Sequence, residues 1–267
     1  MRSAVADYEV VEDLGRGRYA ARAPARLRGA GGGAAPSRVT VMELSVGSDQ
    51  WAELTSALSR FAVVDSPQLL RLYEVGPDMD GAGAGVYLVT EEITGGTLAH
   101  AARAMGLREK IRAVADAARG AHALHESGTA HGAIDPSVIY MVGRGPVLGP
   151  GTGRHGGRVV VMRDWRDLSL LDPDLLRGQA PSRSSDIWAL AASLYALVGP
   201  APLYPAMVDD QPVTAVQRVM FSHPEVSPST PGGLADVLGR CFDADPALRP
   251  QTAAELAEEL LACEGAR

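Results

Sequence analysis

The residue periodicity of this 267-residue chain changes once, near Ile93, and that change limits what the chain can become. Before it, residues 8–14, 38–44, 66–75 and 86–93 alternate apolar with polar residues or run β-branched, as strands do. One helical pattern interrupts them, residues 49–61, with Trp51, Leu54, Leu58 and Phe61 on one face. After Ile93 the spacing turns helical. Residues 107–127 carry the stripe Ile111, Val114, Ala115, Ala118 and Leu124; residues 184–198 and 234–241 follow, and Thr252 with Glu255 makes a capping box for a last helix. Strands gathered in one part and helices in the other imply an α+β chain in two lobes, residues 1–93 and 94–267.

Three segments of the second part have a definite order. The helix over 107–127 turns at Gly128 into His131-Gly132-Ala133-Ile134-Asp135-Pro136-Ser137-Val138, then an apolar strand to Val142. Next comes Ser185-Asp186-Ile187-Trp188-Ala189-Leu190, and near the end Asp245-Pro246-Ala247-Leu248-Arg249-Pro250. In this order they resemble the H-R-D-L-x-P-x-N loop, the D-x-W-x-L-G helix and the D-P-x-x-R-P ending of the bacterial branch of eukaryotic-like Ser/Thr protein kinases. The resemblance covers about residues 8–261. It implies a two-lobed protein-kinase-like fold, with a small antiparallel β N-lobe bearing one helix and a mostly α-helical C-lobe. It further implies structural roles: Asp186 would accept hydrogen bonds from the loop around His131, and Arg249 would pair with Asp174 of Asp172-Pro173-Asp174, which resembles A-P-E.

The same resemblance identifies the chain as a degenerate member, a pseudokinase. A working kinase needs a strand lysine on the α- and β-phosphates, a catalytic Asp, and an Asn and an Asp on magnesium. Here Met42 falls at the lysine of V-A-I-K, Ala133 at the catalytic Asp, and Val138 at the Asn. Gly132 replaces the Arg of H-R-D, and Asp135 replaces the usual lysine of that loop. Counting along a strand expected at residues 158–165 puts Arg163 at the metal-binding Asp, with Asp164 one place later, where an ordinary turn residue is the preferred reading. Only residues 166–171 then separate it from Asp172-Pro173, a shortened activation segment. Lys110 is the only lysine among 25 basic residues, and the chain has no asparagine.

Vestiges of a nucleotide site are expected at Gly15 and Gly17, and at Thr90 and Glu91. Gly15-Arg16-Gly17 alone reads as a hairpin turn; its place after an N-terminal strand adds the phosphate-cradling reading. Thr90 would guard the back of the cleft, and the backbone of residues 90–93 would remain able to hydrogen-bond a purine without metal. Glu53, which would pair the missing lysine, reads as solvent-facing. The stretches 28–35, 81–85 and 143–157 read as Gly-rich loops, His155 as an exposed loop residue, and Thr97 as a helix N-cap.

A net charge of −7 disfavours nucleic acid and anionic membrane as partners. No apolar run approaches the roughly 18 residues of a membrane helix, the N-terminus has no signal-peptide core, and Cys241 and Cys263 read as free thiols; a cytoplasmic protein is expected. The function expected is that of a catalytically inactive binding or scaffold module in signalling, with protein partners and no cofactor. The alternative is an atypical Ser/Thr phosphotransferase that binds ATP and magnesium through Asp164.

Overall fold

The computed structural model describes residues 3–15, 17–24, 27, 37–45, 51–78, 85–151, 165–204 and 212–265. Six strands make one antiparallel sheet: β1 (Ala4–Val5), β2 (Tyr8–Gly15), β3 (Arg18–Arg22), β4 (Arg38–Ser45), β5 (Leu72–Asp78) and β6 (Gly85–Glu91), in the order β1-β2-β3-β4-β6-β5. Period-two alternation gives the sheet two buried faces. From β4, Val39 and Val41 join Tyr8, Tyr87 and Val89 on one side. Met42 points to the other, where Leu54 and Leu58 of α1 (Trp51–Ala62) pack.

The chain leaves this sheet at Glu91 and enters a second one at Ile93. That sheet holds β7 (Ile93–Thr97), β8 (Ile139–Val142) and β9 (Gly145–Leu148), all antiparallel. Helices follow: α2 (Leu98–Ala101), α3 (Leu107–Glu126), α4 (Pro173–Leu176), α5 (Arg183–Val198), α6 (Pro212–Phe221), α7 (Gly232–Cys241) and α8 (Ala253–Ala262), with a 3-10 turn at Trp165–Leu170. α5 is buried on every side through Tyr195 and is the axis of the helical core. Ser182 caps it, accepting from Ser185 N–H at 3.1 Å. The lone lysine, Lys110, donates to the Leu197 carbonyl at the far end of α5, 3.0 Å away.

Several expectations need correcting. The strand expected over 66–75 begins only at Leu72. Pro67 has no N–H for a ladder, and Leu69 N–H closes a turn on Ser66 O. Leu70 N–H instead donates to Leu148 O, and Leu148 N–H to Gln68 O, so this turn is stitched to β9. Residues 143–157 are not all loop, because Gly145–Leu148 is β9, joined to β8 by a two-residue turn. Thr97 stands at the N-cap of α2 but makes no side-chain capping bond. At α8, Thr252 caps Glu255 N–H, whereas the Glu255 carboxylate reaches Gln251 N–H rather than closing the box. The readings of residues 28–35, 81–84, His155, Arg163 and Asp164, and the side chain of Glu53, lie outside the described residues. Cys241 and Cys263 are both free, and among the described residues no helix is long and apolar enough to cross a membrane.

Candidate functional site

Asp186 lies buried in the first turn of α5, where the helix dipole favours a carboxylate. Its Oδ2 accepts from the His131 backbone N–H at 2.7 Å and meets His125 Nε2 at 2.8 Å; its Oδ1 accepts from Gly132 N–H at 2.8 Å. Three donors compensate the buried charge and bind the loop to the central helix. The His131 ring carries the connection onward. Nε2 donates to the Gly149 carbonyl at 2.8 Å, and Nδ1 accepts from Ala133 N–H at 3.2 Å, so the ring proton belongs on Nε2. Gly132 has φ +74°, and a Cβ there would come within 2.8 Å of Pro181. A long side chain at this place would strain the backbone.

The positions that would carry charge are apolar and enclosed. Ala133 and Val138 are buried on the loop, and Met42 is 3 % exposed on β4. The strand that pairs with β8 is β9, and Gly149-Pro150-Gly151 follow it, a place where the resemblance implies Asp-Phe-Gly. The count that put Arg163 at that landmark, and the shortening to residues 166–171 that rests on it, depend on residues 158–164, which lie outside those described.

Tyr140, on β8, ties these positions together. Its hydroxyl donates to Met42 Sδ at 3.7 Å, and a Cβ built on Gly149 would overlap its ring. One phenol therefore fills the ground between Met42 and Gly149. It belongs to a core with Met42, Leu54, Leu58, Leu70, Ile93, Val142 and Val147, which spans both parts of the chain.

The edge between the lobes is also engaged. Thr40 and Thr90 face each other across β4 and β6, both fully buried. Thr90 Oγ1 lies 3.0 Å from Glu91 O and 3.4 Å from Thr40 O, and Ile93 N–H donates to Thr40 Oγ1 at 2.9 Å. Glu91 accepts from Arg71 N–H at 2.8 Å through Oε1 and pairs with Arg144 through Oε2. Arg144, in the β8–β9 turn, also donates to Pro67 O and Leu69 O at 3.0 and 2.8 Å.

Gly15 and Gly17 shape a tight hairpin between β2 and β3, with φ +77° and +69°. Gly17 O accepts from Glu43 N–H at 2.7 Å, so the turn lies down on β4. Two nearby carboxylates hold hydrogen bonds within the chain: Asp135 Oδ1 accepts from Ser137 N–H at 2.6 Å, and Glu43 accepts from Tyr19 OH at 3.2 Å. Among the described residues no group of three or more His, Cys, Asp or Glu side chains is placed to hold a metal ion. A cavity of about 330 Å³ opens behind the loop, between α1 and Thr129, His131 and Pro181.

Arg249 does not pair with Asp174. It pairs with Asp172, both side chains being almost wholly buried, and it also donates to Asp243 O at 2.9 Å and Ser184 Oγ at 3.1 Å. Its guanidinium stacks 4.9 Å from the Trp188 ring centroid. Asp174 lies half exposed against Arg177 at 2.7 Å. The reason is the cap: Asp172, before Pro173, also accepts Asp174 N–H, which holds it inward while Asp174 turns out on the first turn of α4. Sequence reasoning missed Thr40, Tyr140, Gly149 and Asp172. The available signals were the hydroxyl two residues before Met42, the aromatic in the apolar strand, and the Asp-Pro cap.

No protein-family model matches the chain. It is 25 % identical to the serine/threonine-protein kinase PknB of Mycobacterium leprae over 217 residues, covering 75 % of this chain and 34 % of that protein. It is 26 % identical to PknB of Mycobacterium tuberculosis over 218 residues, with the same coverage. The chain thus spans about a third of the length of these curated relatives. The kinase domain of Mycobacterium tuberculosis PknI, as a C20A mutant, superposes with a TM-score of 0.73 at 19 % identity, over 99 % of both chains.

Proposed function

We propose that this chain, a relative of the bacterial serine/threonine protein kinases built on their two-lobed fold, is a non-catalytic binding or scaffold module in signalling that works without Mg·ATP. One observation carries the reading: the Tyr140 ring stands between Met42 and Gly149. Phosphoryl transfer is catalysed by positioning and by charge placed around the γ-phosphoryl group. At these two positions the chain offers a thioether and a backbone, and the loop adds Ala133 and Val138. A side chain at Gly149 would require Tyr140 to move, and Tyr140 is packed with Met42 in one core. The Asp186 brace is complete by contrast, which supports a fold kept for its surfaces. The acidic net charge supports a protein partner over nucleic acid.

Thermal unfolding with ATP and Mg²⁺ or Mn²⁺ tests this. A ligand at 100 times its Kd stabilises by about 2.7 kcal/mol, a shift of several degrees. No metal-dependent shift is expected at millimolar nucleotide. A clear shift that Asp164→Ala abolishes, or phosphate transfer from ATP to a protein substrate, would replace this reading with the atypical phosphotransferase.

A further inference from the structure

A purine can be held without phosphate or metal contacts if a backbone edge offers it one N–H donor and one carbonyl acceptor. In this fold that edge is the chain between the lobes, residues 90–93. We infer that Thr40 stands in for the purine: its hydroxyl oxygen occupies the hinge N–H of Ile93, making it the residue that decides against purine ligands. The inference deepens the non-catalytic reading and rests on it for the identity of the cleft.

Ile93 N–H has a single hydrogen, and it is spent on Thr40 Oγ1 at 2.9 Å within a buried site. A backbone carbonyl has two lone pairs and can take a second donor, so the Thr90 contact to Glu91 O at 3.0 Å is no absolute block. The donor is the limiting group. A purine ring nitrogen would have to displace the Thr40 hydroxyl and leave that oxygen buried without its donor, a cost of about 1–3 kcal/mol. That is roughly a five- to 150-fold loss of affinity before any steric term. The steric term follows from Tyr140. Thr40 and Met42 lie two apart on β4 and so share a face, and Tyr140 OH donates to that Met42. The hydroxyl takes the purine's hydrogen bond, and the phenol fills the adjoining space.

Adenosine in the presence of EDTA is the probe, because it has no phosphate and needs no metal. The full chain should show no thermal shift with adenosine at millimolar concentration. The double variant Thr40→Ala with Tyr140→Leu, checked for native circular dichroism, should bind at least tenfold more tightly than the parent chain. Metal-free adenosine binding by the parent chain, or a folded double variant that binds no better, would overturn the inference. If the double variant does not fold, amide exchange at Ile93 decides instead. Thr40→Val should speed it at least tenfold relative to Thr40→Ser, which keeps the hydroxyl; equal rates would sink the idea. Metal-free adenosine binding would leave the non-catalytic reading standing, whereas Mg-dependent phosphate transfer would end that reading alone.

Discussion

At the scale of single residues, the contrast between Asp172 and Asp174 shows how burial decides what a charge is worth. The two lie two residues apart in sequence, yet one shares a buried site with Arg249 and the other meets Arg177 in solvent. Removing one partner of a buried, hydrogen-bonded pair leaves an uncompensated charge, which costs about 3–5 kcal/mol. Asp172→Ala is therefore expected to lower the urea-unfolding free energy by that amount. Asp174→Ala should change it by less than about 1 kcal/mol, in keeping with exposed ion pairs. Equal losses from the two variants would mean that Asp174 is the anchoring acid after all.

At the scale of elements, the β8–β9 hairpin works as a clasp. Its turn residue Arg144 grips Pro67 O, Leu69 O and the Glu91 carboxylate, and its second strand bridges Leu69 in parallel. The hairpin thus fastens the turn before β5 to the crossing chain. Arg144→Ala removes two hydrogen bonds to backbone and one partly exposed ion pair, worth about 1–2 kcal/mol together after exchange with water. Hydrogen exchange should quicken at residues 69–71 and 91–93 and stay unchanged in α5. Uniform acceleration across the chain would point to global destabilisation and not to a clasp. Its second strand was also the hardest element to read, because only Val147 and Leu148 in it look like strand. Gly145 and Pro146 are turn residues by propensity, and the ladder to Ile139–Val142 overrides that preference.

For the molecule as a whole, groups that must stay protonated when buried set a limit at alkaline pH. Burial pushes the Cys241 thiol up to about 12 from an ordinary value of 9.0, and raises the Tyr204 and Tyr8 phenols too, the last also through its bond to Glu74. Their folded-state pKa values exceed the unfolded ones, so the stability they contribute is full below pH 9 and is lost as pH rises through about 12. Each such group lowers stability by about 1.4 kcal/mol per pH unit once the unfolded chain has lost that proton and the folded chain has not. Urea midpoints should accordingly fall between pH 9 and 11, and Cys241→Ala should flatten part of that fall. A flat profile in both proteins would mean that these groups titrate freely in the folded state.

Sequence by itself determined the partition into strands and helices, which follows from periodicity and capping, both local properties. The resemblance carried by its motifs added the places of Asp186, Met42 and Ala133, where residue identity shows no lysine and no loop carboxylate. Tertiary structure alone decided which aspartate meets Arg249, that Thr40 takes the Ile93 N–H, and that Tyr140 reaches Met42. Each of these depends on a partner distant in sequence: Arg249 for Asp172, Ile93 for Thr40, Met42 for Tyr140. A hydroxyl or a phenol carries no mark of whom it will meet, because its hydrogen-bond partner is chosen by packing. That is why the missing reagents were legible in the chain and their replacements were not.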